Sequence, residues 1–236
     1  MKLYKKIVLA SFLLLPMTVQ AAGFGLYIPI AASTTSTVED VDSSDTVDMD
    51  YSSSKGIGFV YDSNVGKDKM YGYRLGLEYL KMDIDNVDGY SYHGDEDYKR
   101  FNVVNTFEFG LVTSKYVRFW IGPRLNIAYQ SFSDNYHNES FVEFGVAPAL
   151  GTNVNLGSVV SLGFDVDYRF SGLVGRWERT DYYSNDGSYT GVAKGLTARF
   201  YLLFRFGESR SSSATPTNNS DSTPSYQNDN VIDESL

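Results

Sequence analysis

The segment Tyr71-Gly-Tyr-Arg-Leu-Gly-Leu-Glu-Tyr79 restricts the fold more than any other part of the chain. Its odd positions are Tyr71, Tyr73, Leu75, Leu77 and Tyr79, and its even positions are Gly72, Arg74, Gly76 and Glu78. A β-strand sends successive side chains to opposite faces, so this segment has one wholly apolar face and one of glycine and charge. The same alternation sets Phe119, Ile121, Pro123, Leu125, Ile127 and Tyr129 against Trp120, Gly122, Arg124, Asn126 and Ala128. It recurs between Val160 and Phe170, where Leu162, Phe164, Val166 and Tyr168 oppose Ser161, Gly163, Asp165, Asp167 and Arg169. Weaker copies at Phe24–Ile30, Lys55–Asp62, Arg100–Leu111, Phe141–Val154 and Gly191–Phe206 bring the set to eight.

Several of these segments reach the length of about 9 to 11 residues that a tilted strand needs to cross a hydrocarbon layer. Their connections alternate. Ser33–Ser54, Asp83–Lys99, Ser131–Ser140 and Ser171–Thr190 are long and polar, whereas Ser63–Met70, Val112–Lys115 and Asn155–Ser158 are short. Long loops at one end and brief turns at the other are the pattern of transmembrane barrels. The expected fold is all-β: an eight-stranded, antiparallel, up-and-down transmembrane β-barrel.

Both ends of the chain differ in composition from this middle. Lys2, Lys5 and Lys6 precede the apolar run Ile7–Leu15, and Val19-Gln20-Ala21 supplies a small-residue cleavage site, so residues 1–21 read as a secretory signal peptide. From Gly207 to Leu236 the chain is Ser, Thr, Asn, Asp and Pro with few apolar residues, which is expected to leave residues 207–236 a disordered polar tail. The barrel domain is then residues 22–206. With no cysteine, neither disulfides nor thiolate metal sites can contribute. A net charge of −9 argues against nucleic acid as a partner.

At this point the chain resembles the small bacterial outer-membrane β-barrel superfamily that includes the OmpA barrel domain, OmpX and the opacity-type proteins. The likeness covers roughly Ala22 to Phe206 and includes stretches such as Phe119-Trp-Ile-Gly-Pro-Arg-Leu-Asn-Ile-Ala-Tyr129. The closing run Ala198-Arg-Phe-Tyr-Leu-Leu-Phe-Arg-Phe206 looks like the aromatic-ending last strand that such families present to the barrel assembly machinery. It departs from the usual pattern because a tail follows, one too short for the peptidoglycan-binding domain found after the OmpA barrel. The resemblance implies location in the bacterial cell outer membrane, with its lipid as the surroundings.

In a membrane the apolar face points outward, so Leu75, Leu77, Phe119, Ile121, Leu125, Phe164 and Phe200 are expected to face lipid. Arg74, Glu78, Glu108, Arg118, Arg124, Glu143, Asp165, Asp167, Arg169, Arg199 and Arg205 are expected to form a charge network in the lumen. Tyr71, Tyr79, Tyr116, Tyr129 and Tyr168 suit an interfacial girdle. The competing arrangement is a soluble exported barrel of lipocalin type, with the same apolar face turned inward.

An eight-stranded barrel is just wide enough for side chains to fill its interior. The paired charges therefore read as a plug, and the inward Gly72, Gly76, Gly122, Gly145, Gly151 and Gly163 as room for arginines. The same residues could also line a narrow porin-like channel for ions or small solutes. His93 and His137 fall in expected loops without a recognisable catalytic motif, so no enzyme is expected. The acidic loops, including Asp83, Asp85 and Asp88, lack the spacing of an EF-hand, and neither metal nor cofactor is expected. Exposed aromatics such as Tyr90, Tyr92 and Trp177 leave room for an extracellular partner. The function read from the sequence is a non-enzymatic barrel with a structural or surface-interaction, adhesin-like role, with the narrow channel as the alternative.

Overall fold

The computed structural model describes residues 22–41, 45–65, 69–91, 97–133, 137–179 and 186–206. The expected signal peptide and tail lie outside these residues. Nine strands follow in chain order: β1 (Ala22–Asp40), β2 (Thr46–Asp62), β3 (Tyr71–Val87), β4 (Tyr90–Ser91), β5 (Asp97–Thr113), β6 (Val117–Ser133), β7 (His137–Leu156), β8 (Val160–Arg179) and β9 (Asp186–Phe206). Each long strand pairs antiparallel with its neighbours in sequence, and β1 pairs with β9 from Ala22↔Phe206 to Asp40↔Tyr189. Eight long strands thus close a ring. The two-residue β4 only returns along the end of β3, through an Asp88-Gly89 turn in which both residues have positive φ, the type I′ pattern favoured for tight hairpins.

All eight expected strand segments lie inside observed strands, but the observed strands are much longer. Most of what reads as long polar loop is strand. Thr34–Glu39 pairs with both Asp48-side residues of β2 and Thr190-side residues of β9, and Ser171–Arg179 continues β8 against β7. Such stretches alternate too, but above the membrane their outward face is polar, so no apolar stripe betrays them. At about 3.3 Å per residue and a tilt of roughly 40°, a 20-residue strand climbs ~50 Å, about twice the ~25 Å apolar band of a membrane barrel.

One end of the ring, here the turn end, holds Ala22, Phe206 and the connecting residues 63–65, 69–70, 114–116 and 157–159. Asn64 and Val65 are turned inward and fully buried. The Asn64 side chain donates to the carbonyls of Lys69 and Tyr71 at 2.8 and 2.9 Å, and Val65 packs with Tyr27, Val60, Tyr201 and Leu203 in an apolar layer across the bottom of the lumen.

Polarity along the wall changes once. Near the turn end and through the middle, Leu26, Ile28, Ile57, Phe59, Phe119, Ile121 and Phe204 project outward and exposed. Toward the other end the outward positions become Glu39, Asp48, Asp50, Lys81, Asp83 and Arg176. There the inward positions become apolar: Val38, Met49, Tyr51, Met82, Tyr98, Phe132, Phe141, Leu173 and Ala193 form one buried cluster.

Candidate functional site

Between the two apolar layers the lumen is filled by charge. Among the described residues, seven arginines and six carboxylates are buried there, and no lysine is. Arginine suits such a place because its planar fork reaches several acceptors at once. Arg74, projecting inward from β3, illustrates this. Its Nη2 lies 2.6 Å from Asp62 Oδ2, its Nε 3.1 Å from Glu108 Oε1 and its Nη1 3.2 Å from Asp165 Oδ2. Its guanidinium also lies over two rings, 4.6 Å from the Tyr201 centroid and 5.0 Å from that of Trp120, a cation–π arrangement.

Asp165 on β8 is the hub. It accepts from Arg124 Nη1 at 2.9 Å and Nη2 at 2.8 Å, and from the Tyr201 hydroxyl at 2.5 Å. Asp167, two residues along and on the same face, accepts from Arg124 Nη1 at 2.5 Å and also from Arg199. Arg199 continues to Glu78, whose other oxygen accepts from Asn102 Nδ2 at 2.8 Å. Arg118 pairs with Glu108 toward the turn end, where Arg205 donates to the Gly157 carbonyl. Nearer the other end Glu143 holds a second group: Arg100 Nη1 at 2.8 Å, Arg169 Nε at 2.9 Å, Gln130 at 2.6 Å and Ser171 at 2.6 Å.

Every residue expected in the lumen charge network is buried and engaged, and the structure adds Asp62 and Arg100. Those two stand at the edges of the alternating segments, at the end of Lys55–Asp62 and the start of Arg100–Leu111. Only their parity with Arg74-type positions could have marked them. The inward glycines make room for this filling. A Cβ on Gly151 would lie 2.5 Å from Trp120 Cζ2, one on Gly145 3.1 Å from Arg169 Cδ, and one on Gly76 2.6 Å from the Tyr27 hydroxyl. In the upper apolar cluster a cavity of about 10 Å³ remains between Thr34, Met49, Tyr51, Gln130 and Phe141. That is space for one water at most. Burial there pushes the Tyr51 hydroxyl up to about 12, so it stays protonated.

On the outer wall Phe119, Ile121, Leu125 and Phe200 are exposed, the last by 51%, and Leu77 and Phe164 are half-buried. Leu75 corrects the expectation. It is on the outward face but only 6% exposed, in a buried patch with Tyr73, Val103 and Leu77. The Tyr73 hydroxyl donates to Asn105 at 2.7 Å in the same patch. On the far side of the barrel an outer trough of about 690 Å³ lies over Gly172 between Phe144, Phe170 and Val192. The girdle tyrosines Tyr71, Tyr79, Tyr116, Tyr129 and Tyr168 are all exposed.

Charges inside and hydrocarbon outside exclude the lipocalin arrangement, since a soluble barrel would not expose that belt. Of the residues considered for catalysis, His93 lies outside the described residues, and His137 is the first residue of β7, paired through its backbone with Arg179. Among the described residues no group of three or more His, Cys, Asp or Glu side chains gathers as a metal site. No helix among them is long and apolar enough to cross a membrane.

No family model matches the chain, and no curated protein sequence matches it. Solved structures do. The outer membrane protein OprG of Pseudomonas aeruginosa superposes with a TM-score of 0.63 at 12% identity, covering 80% of this chain and 96% of that one. A major outer membrane protein of Thermus thermophilus (TM-score 0.47, 14% identity, 78% and 99% covered) and Ail, the attachment invasion locus protein of Yersinia pestis (0.42, 15%, 78% and 99%), match at lower scores. At such identities the likeness concerns architecture, and the outward belt and charged lumen agree with it: the chain has the eight-stranded transmembrane fold of the small bacterial outer-membrane β-barrels.

Proposed function

We propose that the protein is a non-enzymatic barrel of the bacterial outer membrane, closed to passage through its lumen, with a structural or surface-interaction role. The observation that carries this reading is the filling of the lumen. An arginine–carboxylate network occupies the middle, with an apolar layer across each end. In this reading the turn end, with both barrel termini, faces the periplasm, and Phe206 closes the strand offered to the assembly machinery. The extension stands outside the cell as a rigid collar, where Glu39, Asp48, Asp50, Tyr90 and Arg176 are exposed to any partner.

A narrow channel is the second reading. It is favoured by one observation: both side-chain polar atoms of Asn126, and Nε and Nη2 of Arg100 and of Arg118, lack hydrogen-bond partners among the described residues. Such atoms suit a hydrated thread along the lumen. Single-channel recording of the refolded protein in a planar bilayer separates the two. The sealed barrel gives no stable openings, and reproducible conductance steps that change with Asn126→Leu would replace it with the channel.

A further inference from the structure

The wall changes polarity along a line, and on three adjacent strands that line is lysine. Lys55 on β2 pairs in register with Lys81 on β3, which pairs with Lys99 on β5, and all three are exposed on the outward face. Two residues toward the turn end, on the same face, is a second row in register: Ile57, Tyr79 and Phe101. These are the last apolar side chains of the outer belt on their strands. On the other side, Asp83 follows Lys81 along β3.

Like charges placed directly opposite one another across antiparallel strands are destabilising. The row is also set against the balance of a chain whose net charge is −9. Lys81 has an interaction of its own within the protein, and the three lysines leave the wall from directly opposed positions of adjacent strands, roughly 5 Å apart at the backbone. Lysine's long stem can lie along the aromatic ring beneath while its charge reaches the polar boundary. A compact, mobile ammonium also suits phosphate oxygens approached from several directions. The aromatic row fixes the height, because tyrosine and its neighbours mark the membrane interface.

We propose that Lys55, Lys81 and Lys99 form a binding site for the phosphate groups of outer-leaflet lipid headgroups. The site rests on the transmembrane orientation given above, and it adds a ligand class and three residues to that reading. Neighbouring like charges that cost stability in the isolated barrel become favourable once phosphate is shared between them.

Retention of lipid by the refolded full chain in native mass spectrometry tests this, with bisphosphorylated lipid A and its dephosphorylated form as probes. The wild-type barrel should retain the phosphorylated lipid at least about tenfold better than the dephosphorylated one. The K55Q/K81Q/K99Q variant should lose on the order of a hundredfold in affinity, whereas K55R/K81R/K99R should keep most of it. If the triple glutamine variant does not refold, K55Q/K99Q replaces it and should still lose about tenfold. Equal retention by wild-type and glutamine variants, or no preference for phosphate, overturns the site. A lipid-chain quencher read from a label at Leu125 separates the two levels: a label that meets water removes the transmembrane orientation itself, and one that meets lipid leaves the lysine result to stand alone.

Discussion

The barrel is one continuous pleated wall, but its two lengths are built on opposite plans. Through the membrane belt, hydrocarbon is outside and charge inside. In the extension, Asp48, Asp50, Asp83 and Arg176 are outside while Met49, Met82, Phe141 and Leu173 are inside. β8 keeps its alternation across the change, with inward Asp165, Asp167, Ser171 and Leu173 all on one parity. β1 and β2 instead shift register between Ala31 and Ser33 and between Ser52 and Lys55, so that inward Tyr27 and Val60 give way to inward Val38 and Met49 on the other parity. The antiparallel pairing runs through both, and the surrounding solvent is what differs. The comparison teaches that strand pairing carries across a change of solvent while the polarity of each face does not.

Breaking the lower plan should have the largest effect. Arg124→Ala removes a fully buried cation that joins Asp165, Asp167 and Thr106. Leaving two carboxylates side by side without it should cost about 3 to 5 kcal/mol. Denaturant titration of the bilayer-refolded protein reads this, and a loss below about 1 kcal/mol would mean the network is not what holds the lumen. Next comes Leu125→Arg, which sets a charge on the outer belt and should cost about 2 to 4 kcal/mol in the same titration. A neutral result there would take the belt out of the membrane.

The upper plan predicts a core like that of a water-soluble protein. Leu173→Ala should cost about 2 kcal/mol, whereas Leu162→Ala, outward in the belt, should cost less than about 1 kcal/mol because lipid fills the space. Reversal of that order would show that the extension's interior is not a packed core. The smallest effect belongs to the outward acids. Asp50→Asn should change stability by no more than about 0.5 kcal/mol, and a larger shift would reveal that the collar's charges hold the fold.

The same comparison explains what could be read in advance. In Tyr71–Tyr79 and Phe119–Tyr129 one face is wholly apolar, so both the strands and the inward side of Arg74 and Arg124 followed from the pattern. In Thr34–Glu39 the outward residues are Thr35, Thr37 and Glu39 and the inward ones Thr34, Ser36 and Val38, so both faces look polar and the segment reads as loop. Register is a different matter. That Arg74 meets Asp165, 91 positions away, depends on how the strands between them slide against one another, which no single segment encodes.

The seam between β1 and β9 has a consequence for the order of events during assembly. Ala22 meets Phe206 there, so the ring shuts only when the first and last described residues of the wall are both in place. Arg199 belongs to that last strand and reaches Glu78, 121 positions earlier. Until β9 is paired, Glu78 and Asp167 lack Arg199 and Asp165 lacks the Tyr201 hydroxyl. Closure is then also a drying step: water leaves the lumen as Arg199 enters. The inward turn carrying Asn64 and Val65 then packs against Tyr201 and Leu203 of that same last strand.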